Sequence, residues 1–164
     1  MNYLYTLSPI HQNTFSLQAM ANWFESWFDS PFYHQLYKNR DRKEASAFID
    51  TLIDYIQPTT NQLVLDLACG KGRHSIHLNK LGLHVEGADY SKNSIAYAKS
   101  FENKSLHFFH HDMRQPLPKQ YNLILNLFTS FGYFATNQEH QDTIQHIYNG
   151  LSNNGLFILD YLNT

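Results

Sequence analysis

Three aspartates and an asparagine stand where short apolar runs end. Asp66 lies near the end of Leu63 to Leu67, just before the glycines of Ala68-Cys69-Gly70-Lys71-Gly72. Asp89 closes Val-Glu-Gly-Ala-Asp and is followed by Tyr90, Asp112 and Met113 follow Phe-His-His, and Asn126 sits in Leu-Ile-Leu-Asn-Leu. A carboxylate at a strand end can accept hydrogen bonds from both hydroxyls of a ribose, since each oxygen has free lone pairs. A carboxylate one strand further on can accept from an adenine amino group, while a neighbouring backbone N–H donates to a ring nitrogen. Gly70 and Gly72 precede a helical pattern, and bare backbone there lets a ligand approach a helix N-terminus. Each aspartate also has a plainer use. Asp66 can cap the loop, Asp89 can meet a loop amide, and Asp112 can start the turn leading to Pro116. The chemistry these types share is recognition of a nucleoside.

Positioning them requires alternating strands and helices. Arg42 to Ile56 reads as a helix, with Ala45, Phe48, Ile49, Leu52, Ile53 and Ile56 in one stripe and Asp41 as its N-cap. Leu63 to Leu67 is a buried strand, and His74 to Leu81 a helix ended by Gly82. Val85 to Asp89, Leu106 to His110 and Leu123 to Leu127 are further strands. Ser91 caps a helix that turns Ile95 and Ala98 inward. Gln138 to Leu151 is a helix with Ile144, Ile147, Tyr148 and Leu151 on one face. Asn153-Asn154-Gly155 turns the chain into a last strand, Leu156 to Leu162. Short apolar strands alternating with helices predict an α/β fold: a parallel sheet in the order 3-2-1-4-5, helices on both faces, and the ligand crevice between the first and fourth strands. Upstream, Trp23, Phe24, Trp27 and Phe28 share a helical face within Met20 to Phe28, either docked on the core or covering a pocket. We therefore read residues 1–57 as a helical arm and lid and 58–164 as the binding domain, together one compact unit.

The glycine spacing separates two ligand classes. A dinucleotide fingerprint wants a third glycine where Ser75 stands, which disfavours a nicotinamide oxidoreductase. Asp66-Leu67-Ala68-Cys69-Gly70-Lys71-Gly72 instead resembles the first motif of the class I S-adenosylmethionine-dependent methyltransferases, with Ala68 at the first of three small positions. The strand-end residues downstream resemble the successive motifs of that family, and the likeness runs from Leu63 to Leu162, about three-fifths of the chain. The resemblance implies a Rossmann-like methyltransferase fold with S-adenosylmethionine as cofactor. It implies that Asp89, next to Tyr90, holds the ribose, and that Asp112 holds the adenine amino group beside the Met113 backbone. It implies that Asp66, Ala68, Gly70 and Gly72 surround the methionine part, and that Asn126 offers its backbone carbonyl to the amino group. Arg73, or Tyr37 with Arg40, reaches the cofactor carboxylate or stays solvated. Family members usually continue with a helix and an antiparallel hairpin that this chain lacks. Its last strand would then be an exposed apolar edge, open to homodimer formation, and a catalytically silent binding domain is the alternative to an enzyme.

Composition narrows the partners. The chain has 164 residues, a net charge of −2 and scattered Lys and Arg, which argues against a nucleic-acid surface. No apolar run approaches the ~20 residues of a membrane span. Cys69 is the single cysteine, so no intrachain disulfide forms, and a reducing, cytoplasmic setting is expected. Ten histidines invite a metal reading, above all His107, His110 and His111. Neighbours on a strand point to opposite faces, and no ligand motif accompanies them, so no metal is expected. A small-molecule acceptor is expected, lined by Phe128 to Phe134. Tyr133, His34, Tyr37 and Tyr161 are candidate bases, and none is singled out as catalytic.

Overall fold

A computed structural model of the chain describes residues 42–161 together with Trp27, Ser30 and Phe32. The aromatic face of Met20 to Phe28 (Trp27 apart) and the positions of His34, Tyr37, Arg40 and Asp41 lie outside the described residues. Along the chain run α1 (Arg42–Ile56), β1 (Leu63–Leu67), α2 (Arg73–Lys80), β2 (His84–Asp89), α3 (Lys92–Ala98) with a 3₁₀ turn (Lys99–Phe101), β3 (Leu106–His110), β4 (Tyr121–Asn126), α4 (Asn137–Asn149) and β5 (Leu151–Leu159). The sheet has the order β3-β2-β1-β4-β5, as expected, and all its strand pairs are parallel. Parallel strands put all their C-terminal ends at one edge. The register sets Leu67 beside Ala88 and Asp89 beside His110.

Alternation along the strands divides the core. Val64, Val85, Leu106, Phe108, Leu123 and Leu125 face α1, α2 and α3, meeting Ile49, Leu78, Ile95 and Ala98. Leu65, Leu67, Ala88, Tyr121 and Ile124 face the other way, toward Ile147 of α4. On α1, Ala45 and Ile49 are buried and Leu52, Ile53 and Ile56 half-buried, whereas Phe48, expected in the same stripe, is 36 % exposed, its ring 6.1 Å from that of Phe128.

Two further expectations need correction. On α4 the buried positions are Thr143 and Ile147, whereas Ile144 is 41 % and Tyr148 71 % exposed. The buried stripe of α4 therefore runs through Thr143, a position the apolar pattern passed over. Its hydroxyl donates to the Glu139 carbonyl at 2.7 Å, which is what allows a polar residue there. Second, Asn153-Asn154-Gly155 is not a turn before the last strand. β5 already pairs at Leu151 with Tyr121, then slips to pair Leu156 with Leu123. The residues between loop out as a bulge, with Asn154 at φ 62°. Asn122 holds the bulge through Ser152 Oγ at 3.0 Å.

Candidate functional site

The turn after β1 is built from its own hydrogen bonds. The N–H groups of Ala68 and Cys69 both donate to the Ala88 carbonyl, at 2.7 and 3.0 Å, which folds the chain off the sheet edge. Ala68, Gly70 and Gly72 all have positive φ, at 66°, 56° and 79°. Asp66 is fully buried beneath this turn. Its Oδ2 accepts from the Ser75 backbone N–H at 3.1 Å and from the Ser75 hydroxyl at 2.6 Å. Asp66 thus caps the first turn of α2 from outside the helix, and Ser75 is the partner that replaces a third glycine. Burial pushes the Asp66 carboxyl up to about 6, against the hydrogen bonds from Ser75.

Gly72 and Gly70 serve different purposes. A Cβ on Gly72 would stand 2.6 Å from Phe108 Cε1, so the buried Phe108 ring lies directly under the turn. A Cβ on Gly70 would meet nothing within 4 Å. The Gly70 backbone therefore faces open space at the sheet edge. Its N–H donates to Asp89 Oδ2 at 2.7 Å, and Asp89 Oδ1 accepts from Ser91 N–H at the same distance. Two backbone donors thus fix the carboxylate at the tips of β1 and β2. Tyr90 beside it is 36 % exposed, with its ring 5.8 Å from that of His110.

Asn126 is fully buried. Its Nδ2 donates to the Leu67 carbonyl at 2.9 Å, while its Oδ1 has no hydrogen-bond partner. Its backbone carbonyl already accepts from Asp160 N–H at 3.0 Å. The free acceptor at this position is therefore the side-chain oxygen. Asp66, Ala68, Gly70, Gly72, Asp89 and Asn126 come together at the tips of β1, β2 and β4. Asp112 is linked to them through the backbone, since His111 N–H donates to the Asp89 carbonyl at 2.9 Å. Its carboxylate is held by Arg114 and opens on a cleft of about 250 Å³ lined by Arg114, Gln115, Glu139 and Asp142. Burial raises the Asp112 carboxyl, and the Arg114 hydrogen bonds outweigh it, leaving it below the ordinary range. Met113 packs into the core on the α4 side.

The loop after β4 lies over α2. Phe128 and Thr129 both have positive φ, 59° and 57°. Asp160 pins them, its Oδ2 accepting from Phe128 N–H at 3.0 Å and its carbonyl from Thr129 N–H at 3.2 Å. The Phe128 ring stacks on His74 at 4.9 Å and carries the Arg73 guanidinium at 4.2 Å. Burial, with the charges of Arg73 and His77, lowers His74 to about 3, so its ring is neutral. Of the candidate bases, Tyr133 is half-buried and Tyr161 is 57 % exposed, its ring against Gly132. Burial holds the Cys69 thiol well above its ordinary value, which keeps it protonated and unsuited to nucleophilic work. Sequence reasoning missed Ser75, Phe108, Arg114 and Asp160. Ser75 was visible only as a missing glycine. The other three become partners only through contacts distant in sequence or by a side chain folding back.

Residues 64–155 match the methyltransferase domain family. The chain belongs to that family, the class I S-adenosylmethionine-dependent methyltransferases, whose cofactor is S-adenosylmethionine. It is 29 % identical over 154 residues to a glycine/sarcosine N-methyltransferase of Aphanothece halophytica, covering 89 % of this chain and 54 % of that one. It is 29 % identical over 111 residues to a dTDP-3-amino-3,4,6-trideoxy-alpha-D-glucopyranose N,N-dimethyltransferase of Streptomyces venezuelae, covering 65 % and 46 %. Among solved structures, a TehB-like S-adenosylmethionine-dependent methyltransferase from Corynebacterium glutamicum superposes with a TM-score of 0.62 at 25 % identity, covering 77 % and 71 %. The chain spans about half the length, or less, of the curated relatives it matches over most of its own. The residues present fit the cofactor: open backbone at Gly70, the Asp89 carboxylate held beside it and a buried, unpartnered oxygen on Asn126. No helix among the described residues is long and apolar enough to cross a membrane.

Proposed function

We propose that this chain carries the S-adenosylmethionine-binding core of an enzyme that methylates the nitrogen of a small-molecule amine. The observation that carries the reading is the Asp89 carboxylate, fixed by the Gly70 and Ser91 N–H groups at a glycine turn that faces open space. In this reading Asp89, with Tyr90 beside it, holds the ribose. Asp112 and the Met113 N–H meet the adenine edge. Asp66, Ala68, Gly70 and Gly72 shape the turn around the methionine part, and Asn126 Oδ1 accepts from its amino group. The amine acceptor is supported by the names of two relatives, one acting on glycine and sarcosine and one on an amino sugar.

When bound, the cofactor supplies a methyl group on a sulfonium, open to in-line attack with little covalent help from the protein. The chain's part is to hold donor and acceptor in line and to exclude water. Phe128, Phe131 and Phe134 suit the second task. The amine must attack as the free base, with Tyr133 or Tyr161 the proposed acceptor of its proton. Residues 1–57 cover the pocket as an arm and lid in the same reading, and the chain works in the cytoplasm. The outer edge of β5, with Leu156 and Leu159 exposed, is proposed to pair with a second copy. Incubation of the full chain with S-adenosylmethionine and a panel of small amines, amino acids and amino sugars, read by mass, tests the activity. A gain of one methyl mass on an amine supports it. S-adenosylhomocysteine binding without transfer to any acceptor in the panel would favour a silent binding domain.

A further inference from the structure

Arg114 sits where the loop after β3 meets the start of α4. Its guanidinium folds back on Asp112, with Nε 3.0 Å from each carboxylate oxygen and one terminal nitrogen 2.7 Å from Oδ2. Its own backbone N–H donates to Oδ1 at 3.0 Å. Three N–H hydrogens thus make four contacts, two on each carboxylate oxygen. The other terminal nitrogen reaches Glu139 Oε1 at 3.3 Å. Glu139 is itself fixed, because its Oε2 accepts from the Thr136 N–H and hydroxyl at 3.0 and 3.1 Å in the capping box that begins α4. The guanidinium also lies 5.9 Å from the centre of the Phe134 ring. A planar fork held at both ends sets the plane of the carboxylate it grips, which the point charge of a lysine cannot do.

We propose that Arg114, braced by Glu139, is a positioning residue that fixes the plane of the Asp112 carboxylate for the exocyclic amine of adenine. The proposal rests on the reading that Asp112 meets that amine. Calorimetry on the full chain with two probes tests it: S-adenosylhomocysteine, and S-inosylhomocysteine, which carries a carbonyl oxygen in place of the amine. The wild type prefers the adenosyl probe by roughly tenfold or more, the worth of one charge-assisted hydrogen bond. Arg114→Gln and Arg114→Lys each shrink that preference to about threefold or less, chiefly by weakening the adenosyl probe. Glu139→Gln shrinks it part-way, and the double variant Asp112→Asn/Arg114→Gln binds no worse than Asp112→Asn alone. Equal weakening of both probes in the Arg114 variants, or additive losses in the double variant, would show a merely structural role and overturn the proposal. An unchanged preference in Glu139→Gln would overturn the brace. A preference lost in Asp112→Asn but intact in Arg114→Gln would sink the proposal alone. A preference intact in Asp112→Asn would remove the underlying reading with it.

Discussion

Asp66 and His74 are neighbours in the fold and pull stability in opposite directions with pH. Burial lifts Asp66 from 3.8 to about 6, so between those values the folded chain keeps a proton that the unfolded chain releases. Stability from this group is greatest below pH 4 and falls by on the order of 3 kcal/mol as pH rises through 6. His74 is lowered from 6.5 to about 3, so its contribution is complete above pH 6.5. It is lost, by on the order of 5 kcal/mol, as pH falls toward 3. In urea melts at pH 4 and pH 7, Asp66→Asn should steepen the loss on acidification. His74→Phe, which keeps the ring on Phe128, should shrink it. The two glycines are separable in the same way. Gly72→Ala combines φ 79° with a clash on Phe108 and should cost about 2–5 kcal/mol. Gly70→Ala has room for its methyl and should cost only about 1–2 kcal/mol of stability while weakening S-adenosylhomocysteine binding in calorimetry. The positions of Asp66, Gly70 and Asp89 were legible because a carboxylate ending an apolar strand has few uses. The Asp66–Ser75 bond was not, since a serine at a helix start carries no mark of which acid it meets.

Elements were read best where periodicity was strong. α1 and β3 have their expected limits, and the sheet order follows from alternation and the handedness of crossovers. α4 shows where pattern fails. Ile144 and Tyr148 look like core by type, yet both are exposed, and Thr143 is buried instead with its hydroxyl bonded within the helix. Ile147→Ala should cost about 2–5 kcal/mol and Tyr148→Ser less than about 0.5, measured by thermal or urea unfolding. Thr136→Ala removes one half of the capping box and should cost about 1 kcal/mol. The bulge in β5 escaped notice for another reason. Asn-Asn-Gly reads as a turn, and only the register against β4 shows that pairing resumes beyond it.

At the scale of the whole molecule, the parallel sheet gathers the β1, β2 and β4 tips into one edge, and the backbone joins the loop after β3 to them. A nucleoside bound there would touch elements that are remote in sequence, so its binding should stabilise the entire α/β unit. The outer edge of β5 is paired to nothing among the described residues. If that edge joins two copies, Leu159→Lys should shift the chain from dimer to monomer in sedimentation, with the fold intact by circular dichroism. The most direct test of the central claim is calorimetric titration of the full chain with S-adenosylhomocysteine, wild type against Asp89→Asn. The account predicts saturable one-to-one binding that weakens at least about tenfold in the variant. Absence of binding to the folded wild type, or equal affinity in the two proteins, would contradict it.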